Sequence, residues 1–317
     1  MIVYIKTTER CNFYCMHCYN PFVKQDLDFE QTKDFLKQII AIDTSPIFVL
    51  HGGEPLVGNT SEILKLVHTF PNVYWRISTN LGYELTEERK QILLCMNEVR
   101  VSFDVGIRFQ TLQNLLRWIN NMKWLTNKRT IFCNICLSKN LLRHEPIKLL
   151  KMLDRFNIKD YAFERITLVG NAKLHQEIVP SYKDIDVWLC KIYELEKTNS
   201  VSCRCKDILN IKLGMQGHHE QCYGKQCCMN TMTINADGTI GNCPNDAREN
   251  PVAKIEDGAK EAIKKIHQKK HIPKQTCFLC KYFFCCRGGC EQLEWQGDIC
   301  PYPKQLAEII WRDISEQ

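Results

Sequence analysis

The chain has 317 residues and 44% of them are hydrophobic, which is enough to bury the core of one large domain or of two ordinary ones. Its 42 Lys and Arg residues against 36 Asp and Glu residues give a formal net charge of +6, too small an excess to identify a nucleic acid or an acidic peptide as the partner. Neither a signal peptide nor an apolar run of membrane-spanning length occurs, so we expect a cytoplasmic protein without membrane contact.

Short apolar strands and amphipathic helices alternate along the first 200 residues. Such a succession of βα units predicts a parallel sheet with helices outside it, either an open doubly wound sheet or a partial (β/α) barrel. In both folds the functional site lies at the carboxyl ends of the strands. The predicted strands are residues 2–7, 47–50, 73–79, 98–104, 130–137 and 160–167, and the predicted helices are residues 29–42, 60–70, 85–96, 109–125, 145–156 and 181–197.

Three cysteines, Cys11, Cys15 and Cys18, follow the first predicted strand in the pattern C-x3-C-x2-C. The chain has nineteen cysteines, and in a reducing compartment metal binding or catalysis explains them better than a disulfide framework. The loop could bind zinc, with His17 or a distant cysteine as fourth ligand, or an iron–sulfur cluster. On a four-iron cube, three thiolates leave one iron with an open position, where a cofactor can bind.

The loop is similar to the signature of the radical S-adenosylmethionine (SAM) enzymes, C-x3-C-x-(aromatic)-C, with His17 in the aromatic position. The resemblance continues in HGGEPL, residues 51–56, after the second predicted strand. It implies a partial (β/α)6 TIM-like barrel, a [4Fe-4S] cluster on the three cysteines, and SAM bound through its methionine group. Glu54 is then the partner of the SAM ammonium, and the glycines let the backbone approach the ligand closely.

Strand-end residues supply the other SAM contacts that the resemblance implies, although Ser and Asp there are also ordinary helix N-caps. The SAM-binding residues expected in this way are His17, Gly52, Gly53, Glu54, Pro55, Ser78, Asn80, Ser102 and Asp104. Radical SAM chemistry produces a 5′-deoxyadenosyl radical, which removes a hydrogen atom from an unactivated carbon of the substrate.

Cysteine density rises after residue 200, and we expect a barrel domain of residues 1–200 and a small, loop-rich cysteine domain of residues 201–317, folded with bound metal. Its spacing, C-x9-G-x4-C from Cys228 and then C-x2-C-x5-C-x3-C and a last cysteine, resembles the SPASM extension of radical SAM peptide and protein maturases. That resemblance implies two auxiliary [4Fe-4S] clusters, hence three in all. One is held by Cys222, Cys228, Cys243 and Cys290, and the other by Cys277, Cys280, Cys286 and Cys300. A zinc ribbon that includes Cys277 and Cys280 is the alternative, but it leaves too many cysteines unexplained.

Several cysteines remain outside these sets. Cys95 and Cys133 are typical of small buried hydrophobic residues. Others could give a hydrogen atom to a substrate radical, and the candidates are Cys136, Cys205, Cys227 and Cys285. In sulfatase-maturating relatives an Asp directly follows the ligand cysteine at the position of Cys243, whereas here Pro244 follows. That function is therefore doubtful, and Asp246 reads as a turn-capping residue.

No leader-binding segment precedes the first predicted strand, so a peptide substrate would be held by the two domains themselves or delivered by a separate leader-binding protein. The leading hypothesis is a maturase that installs an oxidative cross-link in a ribosomally made peptide, with flavodoxin or ferredoxin as electron donor. The alternatives are a peptide epimerase with a cysteine hydrogen donor, an enzyme acting on a small metabolite or a nucleic-acid base, and a non-catalytic metal-binding regulator. The Lys-rich segment 260–274 and the net charge are the only support for a nucleic-acid substrate, and the GGEP loop argues against a regulator.

Overall fold

The computed structural model describes residues 1–20, 22–218, 230–269 and 272–316. One sheet of ten strands runs through them in the order β10-β9-β8-β1-β2-β3-β4-β5-β6-β7. The seven strands from β1 to β7 pair in parallel with their neighbours, as consecutive βα units require. The predicted α/β architecture with a partial barrel is therefore confirmed.

The first six strands lie close to their predicted positions, and the last four were not predicted. They are β1 Ile2–Thr8, β2 Ile47–Gly52, β3 Tyr74–Thr79, β4 Glu98–Phe103, β5 Phe132–Leu137, β6 Asp160–Arg165, β7 Arg204–Cys205, β8 Thr231–Ile234, β9 Thr239–Gly241 and β10 Ala253–Lys254. The α-helices are α1 Phe29–Ile42, α2 Thr60–Thr69, α3 Glu87–Cys95, α4 Leu112–Thr126, α5 Lys139–Leu142, α6 Pro146–Arg155, α7 Tyr182–Lys197, α8 Lys206–Met215, α9 Ala259–Gln268, α10 Gln275–Phe278, α11 Phe283–Cys286 and α12 Lys304–Ser315.

The helices begin where the sequence supplies a cap. The side chain of Asp28 accepts a hydrogen bond from the Gln31 backbone N–H at 3.0 Å and starts α1, and Thr111 and Ser181 do the same for α4 and α7. Their buried faces pack on the outside of the sheet in one continuous hydrophobic core.

The strands bury one face against the helices and turn a more polar face inward. In β4, Val99, Val101 and Phe103 belong to the hydrophobic core, whereas Arg100 and Ser102 line a central cavity. The barrel therefore has a polar interior.

The βα alternation continues past residue 200, because β7 pairs with β6 and α8 follows β7 directly. The C-terminal region then returns to the opposite edge, where β8 pairs in parallel with β1 and β9 and β10 add antiparallel strands. The predicted domain boundary at residues 200 and 201 stays a prediction. Among the described residues, no helix has the length and apolar character needed to cross a membrane.

Candidate active site

A cavity of about 370 Å³ opens at the carboxyl ends of the barrel strands. Its wall includes all three cysteines of the first loop, part of the GGEP loop and residues of the C-terminal region. The predicted site residues in the wall are Cys11, Cys15, His17, Cys18, Gly52, Gly53, Glu54, Ser78, Asn80, Ser102, Cys136 and Cys290. Two predicted SAM contacts, Pro55 and Asp104, are not part of the wall.

Backbone amides surround the thiols of the cysteine loop. The N–H of Phe13 donates to Cys11 Sγ at 3.4 Å, and the N–H of Asn20 donates to Cys18 Sγ at 3.4 Å. Burial raises the pKa of Cys11 to about 11 and that of Cys18 to about 12, so the free thiols are protonated near neutral pH. Iron binding would deprotonate them, and amide donors to sulfur tune the reduction potential of an iron–sulfur cluster.

The spacing of the thiols argues against a single metal ion. In the described parts of the chain, no three thiols have sulfur atoms within 4.8 Å of one another, as the ligands of one ion would. A four-iron cube binds each thiolate at a different corner and therefore needs wider spacing. The three cysteines therefore do not form a compact ligand set for one zinc ion among the described residues, and the cluster on them stays a prediction.

The glycines of the GGEP loop pack against the cysteine loop. A Cβ at Gly52 would lie 2.1 Å from the backbone oxygen of Thr8, and one at Gly53 would lie 2.3 Å from that of Arg10. Gly53 N–H and Glu54 N–H donate to these same two oxygens, each at 2.9 Å. The expected close approach of the glycines is therefore to the loop that carries the cysteines.

A second segment holds the cysteine loop from the side of β6. The side-chain amide of Asn171 donates to the Cys15 carbonyl at 2.8 Å, and the Ala172 N–H donates to the Cys18 carbonyl at 3.3 Å. Both residues belong to the 3₁₀ helix Gly170–Leu174. Nothing in the sequence indicated this contact, because an Asn in a loop is common.

Glu54 is fully buried and accepts three hydrogen bonds. Its Oε1 accepts from Leu56 N–H at 3.2 Å and from the Thr79 hydroxyl at 2.9 Å, and its Oε2 accepts from Asn80 N–H at 2.6 Å. Burial nevertheless raises the pKa of Glu54 to about 7, since the hydrogen bonds offset only part of the desolvation. A cation bound in the cavity would favour the ionised form.

Asn80 joins the GGEP loop to the cysteine loop. Its amide nitrogen donates to Asn12 Oδ1 at 2.9 Å and lies 3.6 Å from Cys11 Sγ, while its backbone binds Glu54. Asn80 thus lies in the cavity wall beside the cysteine loop, and its contact with SAM stays a prediction.

Asp104 serves a different purpose from a direct SAM contact. It is buried, forms an ion pair with Arg108, and lies with Oδ2 3.4 Å from His17 Nε2, while Oδ1 accepts from Cys136 N–H at 2.9 Å. Burial opposes the charge, but Arg108 and His17 outweigh it and hold the pKa of Asp104 below its usual value. Asp104 thus positions Arg108 and His17, both of which line the cavity.

His17 is neutral in this setting, because burial lowers its pKa more than Asp104 raises it. His17, Asp104 and Cys136 are the one group of three donor atoms within 4.8 Å among the described residues. Since Arg108 already neutralises Asp104, a further cation is disfavoured there.

Charged side chains from the strands line the interior of the barrel. Glu98 lies between two arginines, with Oε2 2.9 Å from Arg76 Nη2 and Oε1 in contact with Arg100 Nε. Beside them, the amide of Asn134 donates to Glu164 Oε1 at 2.6 Å. Charged residues at alternate positions of otherwise apolar strands, as in VYWRIST and EVRVSF, were a usable signal for a polar interior.

The cavity wall also contains an aromatic pair, Tyr19 and His51. The hydroxyl of Tyr19 is 3.1 Å from His51 Nε2 and the two rings stack with an interplanar angle of 17°. Burial and the nearby Lys6 lower the pKa of His51 to about 3, so its ring is neutral and can accept a hydrogen bond from the Tyr19 hydroxyl.

The C-terminal cysteines separate into two places. Burial raises the pKa of Cys286 to about 12, and the charges of the neighbouring thiols of Cys300, Cys285 and Cys277 raise it further. Burial also raises the pKa of Cys277, and there the neighbouring thiols are Cys300 and Cys280. The set Cys277, Cys280, Cys286 and Cys300 thus lies together, which supports its predicted role. Cys290 instead lines the main cavity. Of the other predicted set, Cys222 and Cys228 lie outside the described residues, as does Cys227.

Asp246 differs from the sequence interpretation. Its side chain accepts a hydrogen bond from the Asn250 side chain within the turn, and it also accepts from Gln292 Nε2 at 3.1 Å and from Lys269 Nζ at 3.4 Å. Asp246 therefore ties the turn to two other segments, and it is not part of the cavity wall. Pro244 and Asn245 line the cavity instead.

The predicted hydrogen-donor cysteines also differ in position. Cys136 lies in the cavity wall, whereas Cys205 is buried at the edge of the sheet and Cys285 lies 3.3 Å from the Tyr302 hydroxyl in the C-terminal region. Cys136 is thus the described candidate that faces the cavity.

Comparisons with known proteins agree with this arrangement. A family model described as a 4Fe-4S single cluster domain matches residues 2–123. An uncharacterised protein of Methanocaldococcus jannaschii is 24% identical over 208 residues, which cover 59% of this chain and 70% of that protein.

Two solved structures resemble the chain along most of its length. The structure of anSMEcpe with bound AdoMet and Cp18Cys peptide has a TM-score of 0.74 at 17% sequence identity. The matched region covers 99% of this chain and 96% of the anSMEcpe chain. SuiB of Streptococcus suis bound to S-adenosylmethionine has a TM-score of 0.68 at 15% identity, over 92% of this chain and 73% of its own. Both are radical SAM enzymes. The chain therefore has the fold of the radical SAM enzymes, with a C-terminal region that the anSMEcpe structure shares.

Proposed function

We propose that the chain is a radical SAM enzyme that modifies a ribosomally made peptide, most simply by an oxidative cross-link. The observation that carries the proposal is the composition of one cavity wall. Cys11, Cys15, Cys18 and Glu54 line the same cavity as Asn245, Cys290 and Leu293 of the C-terminal region. A substrate held by the C-terminal region would lie against the SAM site.

The chain's own residues suit the two cofactors. Cys11, Cys15 and Cys18 would hold a [4Fe-4S] cluster, and Glu54 would pair with the ammonium of SAM while Arg108 offers a buried cation in the same wall. When bound, SAM and its cluster supply the 5′-deoxyadenosyl radical. The protein orients the substrate and excludes water. Two auxiliary clusters, making three in all, and an electron donor such as flavodoxin or ferredoxin complete the proposal.

Two structurally similar proteins favour a peptide substrate over a small metabolite or a nucleic-acid base. SuiB of Streptococcus suis has been solved bound to the precursor peptide SuiA, with a TM-score of 0.63 at 14% identity, and anSMEcpe with the Cp18Cys peptide. A separate leader-binding protein for this chain is a further element of the proposal. A small metabolite or nucleic-acid base remains the alternative outcome of the test.

Epimerisation is the second candidate, and one observation favours it. Cys136 lies in the cavity wall, where its thiol could return a hydrogen atom to a substrate radical. All eight proposed auxiliary positions are cysteines, however, so neither auxiliary cluster offers an open iron to substrate. Such clusters are better suited to accept an electron, which favours oxidation.

The test is the mass of peptides encoded beside the gene, after anaerobic co-expression with the chain. A cross-link lowers the mass by two hydrogens, whereas epimerisation in deuterated water raises it by one deuterium per site. Cleavage of SAM without change in any peptide would point to a metabolite or base, and the absence of SAM cleavage would refute the enzyme assignment.

A further inference from the structure

We infer that Glu164 is the residue that contacts the substrate peptide and accepts the proton released during cross-linking. This inference rests on the proposed function. Glu164 belongs to β6 and pairs in register with Cys136 of β5. Both line the cavity at the carboxyl ends of the strands, where the substrate would meet the SAM site.

Three carboxylates line the cavity among the described residues, and two of them are already engaged. Glu54 accepts three hydrogen bonds and faces the SAM site. Asp207 accepts from the Phe163 N–H at 2.6 Å and from the thiol of Cys205 at 3.8 Å. These bonds tie Asp207 to the backbone of β6 and leave it a structural role.

Glu164 differs from both in having a side chain that is exposed to the cavity. Its single hydrogen bond within the described chain comes from Asn134 at 2.6 Å and goes to Oε1, so Oε2 accepts no hydrogen bond from the described residues. It forms no ion pair with any cation that the structure describes. A carboxylate held by one amide and otherwise free is suited to bind a thiol, hydroxyl or amide N–H of the substrate.

The chemistry of a cross-link requires such a group. A substrate C–H bond gives its hydrogen atom to the 5′-deoxyadenosyl radical, and the carbon forms a bond to a second group X as the X–H bond breaks. The X–H proton goes to the Glu164 carboxylate. The remaining electron leaves to a one-electron acceptor of the iron–sulfur class, so two hydrogens are lost in total and the electrons balance.

The surroundings of Glu164 also keep it basic enough to act. Its depth in the barrel raises its pKa, Asp104 and Asp207 raise it further, and Arg100 and Arg108 lower it. The charge of Glu164 in turn helps to raise the pKa values of Tyr4, Tyr19, Cys133 and Cys136, and Arg76 and Arg165 line the same cavity. The carboxylate therefore becomes protonated at a higher pH than an ordinary glutamic acid, so product formation should decline as the pH falls through that raised value.

The experiment compares Glu164→Gln, Glu164→Asp and the wild type, using the peptide that the wild type modifies in the mass test. Glu177→Gln is the matched control, since Glu177 is exposed on the segment after β6 and pairs with His175 outside the cavity. We expect Glu164→Gln to form 5′-deoxyadenosine as the wild type does but to form cross-linked product about 100-fold more slowly, the lower range for loss of a general base. Glu164→Asp should regain part of the rate, and Glu177→Gln should match the wild type.

Two further measurements separate a base from a merely structural residue. The pH profile of Glu164→Gln should lack the decline on the acidic side that the wild type shows. Binding of a fluorescein-labelled copy of the peptide, measured without reductant, should stay within about threefold of the wild type.

Cross-linking by Glu164→Gln at the wild-type rate, or an unchanged pH profile, would overturn the role of Glu164 and leave the proposed function standing. Loss of peptide binding in Glu164→Gln would also overturn it, by making Glu164 a residue of the binding surface alone. If the wild type cleaves SAM and modifies no peptide, the proposed function fails and the inference fails with it.

Discussion

Glu54 already accepts three hydrogen bonds before any ligand is present, and these bonds affect how strongly its charge can contribute to SAM binding. The sequence alone indicated a carboxylate near an ammonium, and Glu54 does lie in the cavity wall. The Leu56 donor is local, because Glu54 caps the short 3₁₀ helix Pro55–Val57. The donors Thr79 and Asn80 could not be foreseen, because they come from the end of β3, whose position relative to Glu54 depends on tertiary packing. They prepare the carboxylate to remain ionised once a cation arrives.

Replacing Glu54 with Gln should weaken SAM binding about ten- to hundredfold, because a charge-assisted hydrogen bond contributes about 1.5–3 kcal/mol. A titration of the anaerobically reconstituted protein with SAM measures the change, and the iron content should equal that of the wild type. Thr79→Val is a useful comparison, since it removes one donor to Glu54 but keeps the charge, and it should weaken binding less. An unchanged SAM affinity in Glu54→Gln would remove Glu54 from the SAM site.

The parallel strands of the barrel were predicted well because their outward faces are uniformly apolar. Their inward faces carry charged residues as well. Glu98 and Arg100 of β4 meet Arg76 of β3 on this inward face. Alternation within one strand predicts which face is polar. It cannot predict which charges on neighbouring strands pair, because that depends on register.

Glu98 should stabilise the barrel through its two arginines. Burial opposes its charge, but Arg100 and Arg76 outweigh burial and lower the pKa of Glu98. A lowered pKa means that this stabilisation is present above the ordinary pKa of Glu and is lost as the pH falls through the lowered value.

Glu98→Gln should therefore lower the free energy of unfolding at neutral pH by about 2 kcal/mol, less than the loss of a fully buried partner because these side chains are partly accessible. The difference between variant and wild type should shrink on acidification below the ordinary pKa of Glu. Urea unfolding at several pH values measures both effects. Lys37→Gln, on an exposed pair with Asp34, should show almost no change. A difference that grows at acidic pH would contradict the assignment.

At the scale of the whole molecule, the C-terminal region continues the barrel sheet, because β8 pairs with the same strand, β1, that leads into the cysteine loop. Spacing along the chain indicated a second group of cysteines but could not show that it returns to the edge of β1, since that pairing joins residues far apart in sequence. The C-terminal cysteines Cys277, Cys280, Cys286 and Cys300 lie in segments separate from the loop of Cys11, Cys15 and Cys18. Loss of one cluster should therefore leave the others in place.

The anaerobically reconstituted wild type should accordingly hold about twelve irons, from three four-iron clusters. Replacing Cys11, Cys15 and Cys18 together with Ala should reduce this to about eight irons and abolish SAM cleavage, because in the proposed assignment the cluster of that loop is the one with an iron open to SAM. Iron and sulfide analysis, combined with electron paramagnetic resonance of the reduced protein, measures the count. Cys95→Ala is the matched control, because Cys95 belongs to none of the proposed sets and, contrary to the burial expected from the sequence, is exposed on α3. The iron content of this variant should not change. A wild-type content near four irons would contradict both auxiliary clusters, and with them the electron acceptor on which oxidative cross-linking depends.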